Sequence, residues 1–248
     1  MPLRSIKLTI AYDGSGYHGW QAQPGLETIQ QKLDEALSSL PGGKTTIKAA
    51  SRTDAGVSAL GQVAVIQIDS PVPTENLTVA INDRLPPEIA IVEAIEVPRS
   101  FEVTLGAKNK HYRYTIYNGN TRPVLRIKHC WYVPGKLDIE AMSSAAEKLV
   151  GTMDFKSFAS AADTRTNTIR TIFRCDVTDD GDWIHIDVEG DAFLYNMVRN
   201  IAGTLVEAGA GRLKPDRIPE IIEAKNRTAA GPMAPAAGLC LLRIRYHQ

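Results

Sequence analysis

Short strand-like runs and amphipathic helical runs share this chain in an order that rules out the simplest parallel architectures. Period-two alternation reads residues 7–12, 62–69 and 90–97 as strands, and apolar spacing of three and four reads 28–40 and 76–85 as helices. The chain turns at Pro98. Beyond it the same patterns place strands at 111–117 and 130–133, a helix at 138–150, strands at 170–178 and 183–189, helices at 194–209 and 215–224, and a last strand at 239–246. Strands and helices do not follow one another in strict βαβ order. An α+β fold with a mixed or mostly antiparallel sheet and helices on one face therefore fits better than a doubly wound parallel sheet. With 248 residues, 44% of them hydrophobic, the chain can bury a proper core and accommodate two α/β subdomains, expected at 1–105 and 106–248.

Residues 1–7 carry no long apolar core, and no later apolar run approaches the roughly 18 residues of a membrane span, so a cytoplasmic protein with no membrane partner is expected. Cys130, Cys175 and Cys240 are odd in number, far apart and without a Cys-x-x-Cys pair. They suggest buried thiols, with neither a disulfide framework nor a metal site. Net charge is zero, which alone would argue against nucleic acid. The charges are segregated, however. Lys108, Lys110, Arg113, Arg122, Arg126 and Lys128 fall in 103–131, which contains no Asp or Glu, whereas Asp176, Asp179, Asp180, Asp182, Asp187, Glu189 and Asp191 crowd a later stretch. Such a distribution predicts one basic face on a neutral protein. Tyr112, Tyr114 and Tyr117 alternate with the cations, a pattern suited to RNA, whose bases stack on rings while phosphates meet the charges.

Residues 52–57 (RTDAGV) set Arg52 and Asp54 two positions apart before a glycine-permitted turn. In extended backbone the two side chains share a face, so Asp54 either stays ionised as a nucleophile in cationic company or simply closes a turn through its own backbone. Residues 14–19 (GSGYHG) match the dinucleotide pattern G-x-G-x-x-G, but Trp20 and Pro24-Gly25 follow where a helix would have to open, so no nucleotide cofactor is expected. In the helix at 194–209, Leu194, Met197, Val198, Ile201, Ala202, Leu205 and Val206 form the core stripe. Arg199 lies off that stripe, and Gly203 one turn later leaves room for it to reach a loop or a phosphate.

Residues 51–63 (SRTDAGVSALGQV) closely resemble the signature loop of the tRNA pseudouridine synthase A family, whose central Asp is the nucleophile. Further blocks resemble that family in the same order: 11–24 (AYDGSGYHGWQAQP), 84–89 (RLPPEI), 112–114 (YRY), 168–172, 193–203 (FLYNMVRNIAG), then Ala234-Pro235 with Gly238-Leu239. They span almost the whole chain. The resemblance implies two ferredoxin-like halves whose sheets join, with the active site in the cleft between them, and a homodimer that holds a tRNA. It implies cofactor-free isomerisation of uridine to pseudouridine at positions 38 to 40 of the anticodon arm. It assigns Asp54 as nucleophile, attacking either C6 or C1′, and Arg199 as its ion-pair partner. Tyr112 would stack on the uracil and could accept the C5 proton, although a phenol near its reference pKa of about 10 is better suited to stacking. Arg52 would fill the space left by the extruded base or hold a phosphate, and Lys110 and Arg113 would contact the substrate. Three departures bear on tRNA recognition: Ser58 where the family has His, Thr104 where a Phe-x-Ala-Arg block ends in Arg, and Met233 where Thr precedes Ala-Pro-Ala. Two rival readings are a catalytically silent tRNA-binding relative and a carboxylate-nucleophile hydrolase of small nucleosides.

Overall fold

In the computed structural model, residues 3–42 and 46–246 are described. The chain divides into two units, Met1–Lys108 with Leu241–Gln248, and Asn109–Cys240. The first contains β1 (Arg4–Tyr12), α1 (Ile29–Ser38), β2 (Ile47–Ala49), β3 (Ser58–Ile68), α2 (Thr74–Asn82) and β4 (Ile89–Val97). Its strands lie in the order β4-β1-β3, with β2 on the far side of β3, and these pairings are antiparallel. That is the split βαββαβ arrangement of a ferredoxin-like unit. The alternation of β1 produces it locally: Ile6, Leu8, Ile10 and Tyr12 are buried while Lys7, Thr9 and Ala11 are less so. Helix α1 starts where Thr28 accepts a hydrogen bond from the Gln31 N–H, and it buries Ile29, Leu33, Ala36 and Leu37 at helical spacing. Strand β2 is absent from the sequence reading because three residues are too few for a period to show.

The second unit contains β5 (Ala107–Tyr117, from Asn109), β6 (Trp131–Tyr132), α3 (Ile139–Glu147), β7 (Gly151–Asp154), β8 (Ile169–Asp180), β9 (Trp183–Gly190), α4 (Met197–Gly209) and α5 (Ile218–Ala224). Strand order is β5-β9-β8-β7, antiparallel throughout, and the short β6 runs parallel to β5. Tyr112, Tyr114 and Ile116 of β5 are buried, as are Ile184, Ile186 and Val188 of β9, and α3 packs on β8 and α4. The α+β, mostly antiparallel expectation therefore holds in both units.

Four expectations need correcting. The last strand, β10 (Leu239–Tyr246), expected within the second subdomain, belongs from Leu241 with the first unit, where it neighbours β3. Gly61 of β3 permits that approach, since a Cβ there would lie 2.4 Å from the Leu242 carbonyl oxygen. Helix α4 starts at Met197 rather than at residue 194, because Asn196 takes a left-handed conformation at φ +59°. It is also buried nearly all round rather than along one stripe: Asn200, Gly203 and Thr204 are as inaccessible as Ile201. Cys130 and Cys175 are buried as expected, but Cys240 is only half-buried. Among the described residues no helix is long and apolar enough to cross a membrane.

Candidate active site

Asp54 lies in the loop between β2 and β3, and the segment after β1 holds that loop in place. Trp20 N–H donates to the Thr53 carbonyl at 3.0 Å, Gly56 N–H to the Tyr17 carbonyl at 3.2 Å, and Gly14 N–H to Ser58 Oγ at 3.0 Å. The turn closes through Val57 N–H and the Asp54 carbonyl at 3.1 Å, with Gly56 at φ +79°. Beneath it the Tyr12 and Thr53 hydroxyls are 2.7 Å apart, and Gln62 Nε2 donates to the Ser51 carbonyl at 2.9 Å. Two glycines make the contact between the loops possible. A Cβ on Gly14 would lie 2.0 Å from the Val57 oxygen, and one on Gly19, itself at φ +88°, 2.7 Å from the Thr53 oxygen. The G-x-G-x-x-G pattern thus serves the Asp54 loop, and α1 opens only at Ile29. Asp54 is half-buried and Arg52 exposed, so the loop fixes the backbone of the carboxylate while leaving its side chain near the surface.

Strand β5 has two faces of different character. On one, Tyr112 is 6% exposed and meets Phe193 edge-on, ring centroids 5.2 Å apart at 84°. Lys110, two residues earlier, shares that face. On the other, antiparallel pairing sets Arg113 opposite Asp187 and His111 opposite Glu189. Arg113 donates to the Asp187 carboxylate through Nε at 3.1 Å and Nη2 at 2.9 Å, and His111 Nε2 lies 2.6 Å from Asp187 Oδ1. Burial alone would raise the Asp187 carboxyl, but these hydrogen bonds from Arg113 and His111 hold it below its ordinary value. Of the cations in the basic stretch, Arg113 is thus paired with the acidic stretch across β5 and β9. Arg113, expected to contact substrate beside Tyr112, lies on the opposite face and is paired with Asp187.

Arg199 extends from the first turn of α4. Its Nε donates to the Ala234 carbonyl at 2.8 Å and its Nη1 to Asn196 Oδ1 at 3.1 Å, while the Arg199 carbonyl accepts from Ala234 N–H at 3.2 Å. Asn196 makes no side-chain cap for α4; its side chain orients the arginine instead. The space at Gly203, expected to accommodate Arg199, is taken by the chain at Pro232, whose carbonyl oxygen would lie 1.7 Å from a Cβ there. Pro235 and Gly238 continue this segment onto β5. The Tyr114 hydroxyl donates to the Pro235 carbonyl at 2.8 Å, and a Cβ on Gly238 would meet the Tyr114 ring at 2.6 Å.

A model of the family described as tRNA pseudouridine synthase matches residues 8–104 and 145–247, the first stretch containing Asp54 and the second Arg199. The chain belongs to the tRNA pseudouridine synthase family. It is 44% identical over 244 residues to the tRNA pseudouridine synthase A of Caldicellulosiruptor bescii, covering 98% of this chain and 100% of that protein. It is 45% identical over 244 residues to that of Geotalea daltonii, with the same coverage. With the tRNA pseudouridine synthase A of Moorella thermoacetica it shares 45% identity over 243 residues, 97% of this chain and 99% of that one.

The three departures from the family pattern have distinct surroundings. Ser58 is a tie between loops, accepting from Gly14 N–H. Thr104 donates through Oγ1 to the Ala49 carbonyl at 3.2 Å, a local backbone contact. Met233 is 46% exposed, between residues that lie against α4.

One part of this pseudouridine synthase escaped the sequence reading: Asp163 and Arg165, which tie the chain after β7 to the turn before α4. Arg165 donates to Asp163 through Nε at 2.9 Å and Nη2 at 2.8 Å, Tyr195 N–H donates to the same carboxylate at 2.8 Å, and Arg165 Nη1 donates to the Phe193 carbonyl at 3.1 Å. The Asp-x-Arg spacing was the available signal, but it is common in loops. Burial works to raise the Asp163 carboxyl, yet the Arg165 side chain and the Tyr195 and Arg165 N–H groups outweigh it, bringing it to about 2. Because the folded value is depressed below the roughly 3.9 of an unfolded chain, Asp163 contributes stability above about pH 4 that is lost as pH falls through about 2. Asp163→Asn should melt at a lower temperature than the parent at pH 7, with the gap closing over that acid window in thermal denaturation followed by circular dichroism.

Proposed function

We propose that this tRNA pseudouridine synthase isomerises uridines at positions 38 to 40 of the tRNA anticodon arm, with Asp54 as the nucleophile. The observation that carries the assignment is the Asp54 loop itself, a turn whose backbone is pinned by Gly14, Tyr17, Gly19 and Trp20 while Asp54 and Arg52 remain at its rim. In the reaction the N1–C1′ bond breaks and a C5–C1′ bond forms, the C5 proton leaves and N1 gains one, with no net redox change. Asp54 attacks C6 of the uracil or C1′ of the ribose, and either route needs an ionised carboxylate. Arg199 pairs with that carboxylate and favours its charged form, its guanidinium pre-oriented by Asn196 and the Ala234 carbonyl. Tyr112 is the platform for the extruded uracil, backed by Phe193. Arg52 occupies the space the base vacates, and Lys110 contacts the RNA. The protein acts in the cytoplasm as a homodimer whose two chains together hold the tRNA.

Tritium release from unmodified tRNA labelled at uridine C5, followed by mapping of the product, tests the reading. Release mapping to the anticodon arm supports it, and tRNA binding without release would reduce the protein to a silent relative. Arg199→Ala is expected to lower kcat by on the order of 10²-fold or more while changing tRNA affinity little, since its contribution grows with charge at the reacting centre. Single-turnover tritium release beside filter binding separates the two effects, and unchanged turnover would remove Arg199 from the mechanism.

A further inference from the structure

Within the second unit, where β5 begins, β9 ends and β8 begins, cations gather around the ring that backs Tyr112. Lys110 stands opposite Gly190, which stands opposite Ile172, so the three strands meet in one row. Gly190 has no side chain to fill its place; a Cβ there would lie 2.7 Å from the Thr171 carbonyl oxygen and 3.1 Å from the Phe193 ring. Arg165 donates to the Phe193 carbonyl, and Arg170, two residues before Ile172, holds the carbonyls of Ile169 and Asn167 through Nη1 at 2.6 and 3.2 Å. Arg170 Nε is buried and has no hydrogen-bond partner among the described residues, the kind of orphaned donor that native proteins keep for a ligand or water.

The two carboxylates of this cluster are largely occupied. Asp163 binds Arg165 and the Tyr195 N–H, while Asp191 Oδ1 accepts from the Thr171 and Ala192 N–H groups at 3.0 and 2.6 Å. We propose that Lys110 and Arg170 hold a backbone phosphate of the tRNA next to the base stacked on Tyr112, with the Asp163–Arg165 pair tying down Phe193 behind that ring. The inference rests on the role given to Tyr112 above and adds the phosphate contact that would fix the register of the RNA on that platform. The electrostatics of the free protein agree. Burial first, then the neighbouring charges of Arg165 and Arg170, bring the Lys110 ammonium down to about 8, with Asp191 opposing. Burial and Arg165 likewise lower Arg170, against Asp191 and Asp163. A phosphate relieves this mutual repulsion and restores a full charge to Lys110.

The test measures the affinity of unmodified tRNA from about pH 6.5 to about pH 9 and across a salt series, for the parent, Lys110→Arg, Lys110→Gln and Arg170→Gln, with tritium release by the parent run alongside. Parent affinity should weaken as pH rises through about 8, and Lys110→Arg should keep the affinity and lose that inflection. Lys110→Gln and Arg170→Gln should each bind about tenfold more weakly at moderate salt, with a log–log salt slope smaller by about 1. A fold-wide defect would also weaken Lys110→Arg and would not reduce the slope by a single contact. If both Gln variants bind with the parent's affinity and slope, the phosphate site is overturned even where the parent releases tritium. If the parent binds but releases none, the catalytic reading fails and the slopes still decide the phosphate site.

Discussion

Asp54→Asn is expected to lower tritium release by on the order of 10⁴-fold or more while leaving tRNA affinity within a few-fold of the parent. The amide nearly preserves the shape of the carboxylate and removes its charge and nucleophilicity. Its backbone partners do not depend on that charge: the loop is held through the Thr53 carbonyl, the Gly56 N–H and the Val57 N–H to Asp54 carbonyl turn. The substitution therefore separates chemistry from architecture. Parallel loss of affinity would show that Asp54 has a structural job, and residual turnover near the parent level would place the nucleophile elsewhere. Filter binding beside single-turnover tritium release distinguishes these outcomes.

Gly14→Ala is expected to cost on the order of 10²-fold in activity from a residue that performs no chemistry. Its new methyl would lie 2.0 Å from the Val57 oxygen and 2.5 Å from the Val57 carbonyl carbon, both backbone atoms that no rotamer change can move aside. The Asp54 turn or the segment after β1 must shift by about an ångström to restore contact distance, and displacements of that size at a reacting group cost about 10²-fold in rate. Overpacking of this kind also destabilises by roughly 1–3 kcal/mol. The variant should combine a lower melting temperature with a loss of kcat that persists well below its unfolding transition. Parent-like kcat at that temperature would show that the two loops are less tightly coupled than their contact distances require.

How much of the site could be read beforehand follows from where its determinants lie in the chain. The Arg52-Thr53-Asp54-Ala55-Gly56 run was legible because its chemistry is local, a carboxylate and a guanidinium two residues apart before a residue that tolerates positive φ. The strands β1, β4 and β10 and the helix α1 were legible because their apolar residues repeat over enough positions to define a period. Strand β2 was too short for that, and the start of α4 was hidden because asparagine is only an occasional occupant of the left-handed region.

What could not be read beforehand shares one cause, pairing between segments distant in sequence. Counting charges along the chain predicts a basic face from 103–131, but it does not show that Arg113 of that stretch is paired with Asp187 across β5 and β9. Likewise, the glycine pattern at 14–19 could be dismissed as a nucleotide loop from sequence, but not assigned its contact with the chain from Thr53 to Val57. The sequence by itself determined the family, the glycine-permitted turn that follows Asp54 and the α+β, mostly antiparallel character, since each depends on short-range pattern. Tertiary structure alone decided which residue of β5 is paired with Asp187, what the glycines accommodate and what orients Arg199. Strand register and loop-on-loop contact depend on residues tens of positions apart, and no local window contains both partners.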